Sequence, residues 1–151
     1  MTESTWHYER FEPAGSAIGY RITRKLDEVQ SPFQKIEIFE TTDWGNLMLI
    51  DGAVMLTTRD NFLYHEMMSH PALFTHADPR RVVIIGGGDC GTLREVLKHP
   101  GVQKAVQCDI DEQVTRMLVL AGADAGVALD ATVGIAEKFH PSHCRASLTL
   151  P

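Results

Sequence analysis

A glycine-rich turn is the part of this sequence whose residue types point most directly to chemistry. Residues 86–91 are Gly-Gly-Gly-Asp-Cys-Gly and fit the pattern G-x-G-x-x-G, with glycines at Gly86, Gly87, Gly88 and Gly91. The first glycine permits a tight bend, the third lets a ligand approach the backbone, and the last permits close packing of helix on strand. Asp109 ends the next apolar run, where a ribose-binding carboxylate is expected. The pattern predicts a site for an adenosine-type ligand; the alternative is a plain tight turn.

The charge of Asp89 narrows the choice of ligand. A carboxylate inside the glycine turn would repel a pyrophosphate bound at the same helix N-terminus. It would attract a ligand that carries an ammonium or sulfonium charge. Asp89 therefore favours a nucleoside similar to S-adenosylmethionine over NAD, although capping of the following helix is an alternative role.

No metal site is predicted. His65 and His70 resemble the metalloprotease pattern H-E-x-x-H, but their spacing is i, i+5, so they do not share a helix face. His140, His143 and Cys144 lie close together near the C-terminus, where such a group is more often accidental than a metal site.

The elements around the turn follow an α/β order. Residues 81–85 form a β-branched apolar run that predicts a buried strand, and a helix is expected over 92–98. A second strand is expected over 104–110, and Asp111 is expected to cap a helix over 113–120. An earlier helix is expected over 61–68, disturbed by Pro71. Strand, turn, helix, strand and helix in this order predict parallel strands joined by a crossover helix.

The N-terminal third has a different pattern. Residues 33–39 alternate apolar and polar side chains, and the pair Asp51-Gly52 separates the apolar runs 47–50 and 53–56. Asp-Gly between apolar runs is a strong hairpin signal. We predict an antiparallel β domain over residues 1–58, the start of a Rossmann-like nucleoside-binding domain over 59–117, and a divergent tail over 118–151.

Composition excludes some classes of protein. The 151 residues are 44% hydrophobic and 23% charged, typical of a globular fold, and the formal net charge is −6. That charge argues against nucleic acid or an anionic membrane as the main partner. Three widely spaced cysteines are expected to be free thiols in a reducing compartment. No apolar leader or membrane-length segment is visible, so a cytoplasmic protein is expected.

Several motifs in order resemble the polyamine aminopropyltransferases, and bacterial spermidine synthases in particular. The resemblance covers residues 6–117 and joins the glycine turn to independent motifs on both sides of it. The motifs are Ser31-Pro32-Phe33-Gln34-Lys35-Ile36, Leu49-Ile50-Asp51-Gly52, Thr57-Thr58-Arg59-Asp60, Tyr64-His65-Glu66-Met67, Gly86-Gly87-Gly88-Asp89, Leu93 to Pro100, and Cys108-Asp109-Ile110-Asp111.

The resemblance implies transfer of an aminopropyl group from decarboxylated S-adenosylmethionine, a co-substrate, to putrescine, with no cofactor. It implies an N-terminal β domain that helps form a homodimer or homotetramer, ahead of a methyltransferase-like Rossmann domain. Gln34 would contact the nucleoside, Asp109 the ribose hydroxyls and Asp89 the ammonium of the aminopropyl arm. Tyr64 and His65 would line the substrate cleft. Asp109, where the family often has Glu, and Cys90, where many members have Gly, depart mildly from the pattern.

The tail departs from the family more strongly. Members carry an Asp-Gly pair that binds adenine and a later Asp-Ser/Thr-x-Asp-Pro stretch whose first Asp deprotonates the amine. Neither stretch is present, and no Asp follows Asp130. No catalytic base is therefore identified, and impaired transfer is expected because a protonated amine is not a nucleophile. The alternatives are an inactive nucleoside-binding or oligomerising module of the same family, and a fragment of an NAD-dependent oxidoreductase.

Overall fold

The computed structural model describes residues 5–120 and 146–149. These fall into two compact units that divide after Asn61. The prediction of an antiparallel N-terminal sheet followed by a Rossmann-like parallel pair of strands is confirmed. None of the helices in the described ranges is both long enough and apolar enough to cross a lipid bilayer.

The first unit is a five-stranded antiparallel sheet in the order β1-β2-β3-β4-β5. Its strands are β1 (Thr5–Phe11), β2 (Ser16–Gln30), β3 (Lys35–Thr41), β4 (Asn46–Ile50) and β5 (Ala53–Thr57). The long β2 pairs with β1 through its first half and with β3 through its second half. Strand β1 and the full length of β2 were not predicted: every apolar residue of β1 is exposed, and only the middle of β2 turns apolar side chains, Tyr20 and Ile22, into the core.

The Asp-Gly hairpin is confirmed. Asp51 and Gly52 both have positive φ, at 50° and 82°, and Ile50 pairs with Ala53 across the turn. The Asp51 carboxylate also accepts the backbone N–H of Lys35 at 2.8 Å, which ties the turn to β3. One core cluster of this sheet consists of Tyr20, Ile22, Leu47 and Leu49, packed by Phe39, Trp44 and Val54.

The second unit carries the α/β elements. They are α1 (Asn61–Thr75), β6 (Arg81–Ile85), α2 (Gly91–Leu97), β7 (Lys104–Cys108), α3 (Glu112–Leu120) and β8 (Ala146–Thr149). β6 and β7 are parallel neighbours, whereas β8 pairs antiparallel with β7. The rest of the predicted tail, residues 121–145 and 150–151, lies outside the described residues.

Helix α1 runs through Pro71 to Thr75 and does not stop near Met68. A proline removes one backbone donor and strains the preceding turn, but tertiary packing can outweigh that cost. Leu73, one half-turn beyond Pro71, belongs to the core of the unit together with Ile84, Leu93, Val96, Val102 and Ala105. Burial of Leu73 therefore favours the longer helix.

The cysteines differ in their bonding state. Cys90 is a free, buried thiol as predicted, but Cys108 is disulfide-bonded, so the prediction that all three are free is wrong for Cys108. Cys144 lies outside the described residues.

Candidate functional site

The glycine turn connects β6 to α2, and its first two residues adopt a left-handed backbone that favours glycine. Gly86 and Gly87 have φ of 79° and 68°. The Gly86 N–H donates to the Cys108 carbonyl at 2.6 Å, and the Cys90 N–H donates to the Gly87 carbonyl at 2.8 Å. The first bond places the start of the turn beside the end of β7, where Asp109 follows.

Asp109 is held by two backbone donors. Its Oδ2 accepts the Gly88 N–H at 2.7 Å, and its Oδ1 accepts the Asp111 N–H at 2.9 Å. A carboxylate has about four acceptor positions, so each oxygen keeps capacity for a ligand hydroxyl. The ribose-binding role stays a prediction, and the carboxylate lies at the carboxyl ends of both parallel strands, as that role requires.

Gly88 is a point of close approach. A Cβ at this position would lie 2.8 Å from Asp109 Oδ2 and 3.0 Å from Val114 Cβ. The Gly88 carbonyl accepts the Thr115 hydroxyl at 2.6 Å. Both backbone polar groups of Gly88 are therefore bound, and α3 is tied to the turn through Thr115.

Asp89 lies at the N-terminal end of α2 with its side chain 13% exposed. Its Oδ2 lies 2.9 Å from Nε2 of His65, and its Oδ1 accepts the Gly91 N–H at a long 3.4 Å. The second contact is the helix-capping role considered for Asp89. The first contact was not foreseen, because it joins residues 24 positions apart in the sequence.

The two residues expected to line the cleft differ in exposure. Tyr64 is 60% exposed, whereas His65 is 2% exposed, and the two rings meet edge to face at 5.4 Å. Nδ1 of His65 lies 3.2 Å from the Thr92 hydroxyl. Tyr64 can present its ring to a ligand, whereas the imidazole of His65 faces the glycine turn from inside.

Gln34 belongs to the first unit, immediately before β3. It is half-buried, and its backbone N–H and carbonyl bind the hydroxyl and N–H of Ser31 respectively. The Ser31–Gln34 turn thus fixes the backbone from which this side chain projects. The nucleoside contact predicted for Gln34 stays a prediction.

Two residues that matter for the turn were missed by the sequence analysis. Thr92 and Thr115 hold His65 and Gly88 through their hydroxyl groups. Thr92 is the second residue of α2, and a hydroxyl beside a glycine turn was the only available signal. The Asp111 cap is confirmed, because its Oδ1 accepts the Gln113 N–H at 3.0 Å.

Burial governs the chemistry of Cys90. Burial raises the pKa of its thiol; the Gln107 amide at 3.7 Å opposes that shift, and the carboxylates of Asp89 and Asp109 add to it. Because the thiolate is the reactive form, this cysteine is poorly suited to nucleophilic catalysis.

A second polar cluster joins α1 to α2 away from the turn. His70 Nδ1 lies 2.9 Å from His99 Nε2, and His70 Nε2 lies 3.5 Å from Glu95 Oε2. Glu95 is fully buried and also pairs with Arg94 and Lys98. Burial raises the pKa of Glu95, but the Lys98 and Arg94 cations lower it by more, so the net shift is downward.

Glu66, His70 and Glu95 also lie close enough together to hold a metal ion. Arg94 and Lys98 already neutralise the Glu95 carboxylate, so a divalent cation would have to displace a cation from it. The geometry thus matches an ion-pair cluster better than a metal centre. His65 takes no part, since it points to Asp89 and Thr92.

Comparison with known families gives two matches that follow each other along the chain. Residues 5–58 match the spermidine synthase tetramerisation domain, and residues 61–119 match the spermine/spermidine synthase domain.

Curated relatives agree with these matches. A polyamine aminopropyltransferase of Xanthomonas campestris pv. campestris (strain B100) is 81% identical over 116 residues, which cover 77% of this chain and 41% of the relative. The polyamine aminopropyltransferase of Xanthomonas euvesicatoria pv. vesicatoria (strain 85-10) is 80% identical over 146 residues, 97% of this chain and 45% of the relative. The second alignment extends beyond residues 6–117, on which the resemblance was based. The chain spans less than half the length of these relatives.

Solved structures show the same likeness. Spermidine synthase from Thermotoga maritima superposes with a TM-score of 0.75 at 39% identity, over 83% of this chain and 45% of that protein. A spermidine synthase in complex with the transition state analogue AdoDATO gives a TM-score of 0.76 at 39% identity, over 83% of this chain and 43% of that protein.

Proposed function

Because the chain belongs to the spermine/spermidine synthase family, we propose that it serves aminopropyl transfer from decarboxylated S-adenosylmethionine to putrescine. The products are spermidine and methylthioadenosine. No cofactor is required, since the sulfonium nucleoside is itself the activated donor. The family assignment favours this donor over NAD as the ligand of the glycine turn.

One observation carries the proposal: the carboxylate of Asp89 stands inside the glycine turn, 2.9 Å from His65 and still partly exposed. A phosphate would be repelled there, whereas the ammonium of an aminopropyl arm would be attracted. Asp109, held at the ends of the parallel strands by Gly88 and Asp111, has acceptor capacity left for two ribose hydroxyls. Within the second unit the two carboxylates thus suit the two ends of one nucleoside.

Tyr64 lies in the same unit as the two carboxylates. Its exposed ring supplies a face against which the ligand lies. Aromatic faces attract nearby cationic groups. The sulfonium and ammonium charges of the donor are therefore suited to a site lined by Tyr64 and Asp89.

The reaction needs a base. A neutral nitrogen of putrescine attacks the aminopropyl carbon next to sulfur, the C–S bond breaks, and its electron pair stays on sulfur in methylthioadenosine. The attacking nitrogen loses a proton, which a positioned base must accept. No aspartate follows Asp130, and no base has been identified in this chain. We therefore expect the 151-residue chain alone to bind the nucleoside but to transfer the aminopropyl group slowly.

A second candidate function is a nucleoside-binding or oligomerising module without catalysis. The exposure of Trp6, Tyr8, Phe11 and Ile18, each between 43% and 62%, favours an oligomeric role for the first sheet. Large exposed apolar side chains on neighbouring strands are typical of interaction surfaces. We propose a homodimer or homotetramer in the cytoplasm, with neither nucleic acid nor a membrane as partner.

The deciding experiment measures methylthioadenosine release by the purified chain, supplied with decarboxylated S-adenosylmethionine and putrescine. Release above a protein-free control supports the enzyme and requires a base in this chain. Methylthioadenosine binding without release supports the nucleoside-binding module. Absence of both binding and release from soluble protein contradicts the enzyme and the nucleoside-binding module, and leaves the oligomerising role alone.

A further inference from the structure

His65 connects the glycine turn to helix α1 from inside the fold. Its imidazole is 2% exposed, with Nε2 at 2.9 Å from Asp89 Oδ2 and Nδ1 at 3.2 Å from the Thr92 hydroxyl. Both ring nitrogens are therefore occupied by residues of the turn and of the helix that follows it. A buried histidine so placed has little surface left for a ligand.

The contacts determine where the proton lies. A carboxylate oxygen only accepts hydrogen bonds, so Nε2 must carry the hydrogen that faces Asp89. The Thr92 hydroxyl can donate to Nδ1 or accept from it, so it is compatible with a neutral or a charged ring. In either state the Nε2–H of His65 is directed at Asp89. The Thr92 hydroxyl at Nδ1 fixes the orientation of the ring.

Gly91 makes room for this arrangement. A Cβ on Gly91 would lie 2.1 Å from Nε2 of His65, closer than any real contact. The sequence pattern explains the last glycine of the motif by helix–strand packing; here its nearest neighbours are ring atoms of His65. The missing side chain lets the imidazole reach the Asp89 carboxylate.

Among residues 5–120, His65 makes the shorter of the contacts that orient Asp89. The Gly91 N–H reaches the same carboxylate only at 3.4 Å, a long hydrogen bond. A rotating carboxylate would lose favourable geometry toward a bound cation, and ordering it on binding would cost free energy. From this we infer that His65 is a positioning residue, which holds the Asp89 carboxylate ready for the ammonium of the donor's aminopropyl arm. The inference rests on the proposed function and deepens it.

The role predicts a selective loss of affinity. His65→Asn places its amide near Nδ1 and cannot reach Asp89, whereas His65→Gln places an amide N–H near Nε2 and can. Calorimetry would compare decarboxylated S-adenosylmethionine, which carries the ammonium, with methylthioadenosine, which lacks it. We expect His65→Asn to lower the affinity for decarboxylated S-adenosylmethionine by roughly tenfold or more, in line with a lost charge-assisted hydrogen bond. It should change methylthioadenosine binding by less than about twofold, and His65→Gln should restore most of the loss.

Thr92→Val is the matched variant. It removes the partner of Nδ1 but leaves the contact between Nε2 and Asp89, so we expect a smaller loss than in His65→Asn. An equal loss of affinity for both ligands in His65→Asn would overturn the inference, because it would indicate a purely structural role for His65. Unchanged binding of both ligands would overturn it as well.

A ligand-free measurement separates this inference from the proposed function. In the ¹H–¹⁵N NMR correlation spectrum of the wild-type chain, the proton on Nε2 of His65 should show the downfield shift of a hydrogen bond to a carboxylate. That downfield shift should be lost in Asp89→Asn. If wild type binds neither nucleoside, the proposed function fails, while this signal still supports the positioning contact. A signal that Asp89→Asn leaves unchanged would overturn the contact itself.

Discussion

Asp109 accepts the backbone N–H of Gly88 at 2.7 Å, so the carboxylate that directly follows β7 also closes the turn that follows β6. The same side chain accepts the Asp111 N–H, which starts α3. One residue therefore organises the glycine turn and the next helix before any ligand binds. Such preorganisation lowers the free energy that binding must spend on ordering the site.

Replacement of Asp109 by Asn should loosen the turn. One amide oxygen cannot serve both backbone donors as a carboxylate does, and the loss of a charge-assisted bond costs about 2 kcal/mol of unfolding free energy. We expect hydrogen exchange of the Gly88 amide to become faster and methylthioadenosine binding to weaken. Asp78→Asn, on an exposed side chain of the same unit, is the control. Unaltered protection of Gly88 would show that this bond does not order the turn.

Two glycines allow a test of close packing. Gly88→Ala would place a Cβ 2.8 Å from Asp109 and 3.0 Å from Val114, whereas a Cβ on Gly101 would meet no atom of the described residues within 4 Å. We expect Gly88→Ala to lower the unfolding free energy by about 2 kcal/mol through overpacking. Gly101→Ala should stay within about 0.5 kcal/mol of wild type. Thermal unfolding by circular dichroism measures both, and equal midpoints for the two variants would contradict the crowding at Gly88.

The sequence predicted elements whose signal is local. β6 was placed at its observed bounds because residues 81–85 are a continuous apolar run, and the Asp51-Gly52 hairpin because its turn type demands those residues. β1 was missed because its apolar side chains face outward, so alternation did not mark a buried face. The end of α1 was missed because burial of Leu73 outweighs the cost of Pro71.

The candidate site was predictable in its residues but less so in its contacts. Asp89 and the glycines follow from the glycine motif, and Asp109 follows from its place at the end of the next apolar run. The pairing of His65 with Asp89 could not be read from the sequence, because it depends on how α1 lies against the turn. The hydrogen bonds of Thr92 to His65 and of Thr115 to Gly88 also join residues that are distant in the sequence, so the sequence did not predict them. Motifs identify the groups, and packing decides which of them meet.

Cys90 should react slowly in the folded chain. Burial first, and then the carboxylates of Asp89 and Asp109, raise the pKa of its thiol, although the Gln107 amide opposes them. The reactive thiolate is therefore scarce at neutral pH. We expect iodoacetamide at pH 7.5 to modify Cys90 more slowly in native protein than in urea, because the raised pKa lowers the thiolate fraction and burial restricts access to the sulfur. Peptide mass spectrometry measures the rate at this residue, and similar rates in both conditions would contradict the burial.

Glu95 should make the stability of the second unit depend on acid. Burial raises its pKa, but Lys98 and Arg94 lower it by more, so the folded chain holds this carboxylate ionised below the ordinary value of 4.5. A lowered folded pKa contributes stability that is present above the ordinary value and is lost as pH falls through the lowered one. Glu95→Gln should therefore cost roughly 2 kcal/mol at pH 7, and its deficit relative to wild type should shrink as the pH falls from about 5 toward 3. Melting curves at several pH values measure that difference, with Glu112→Gln, whose carboxylate is 36% exposed, as the control. A deficit that stays constant down to pH 3 would show that the ionised form of Glu95 does not stabilise the fold.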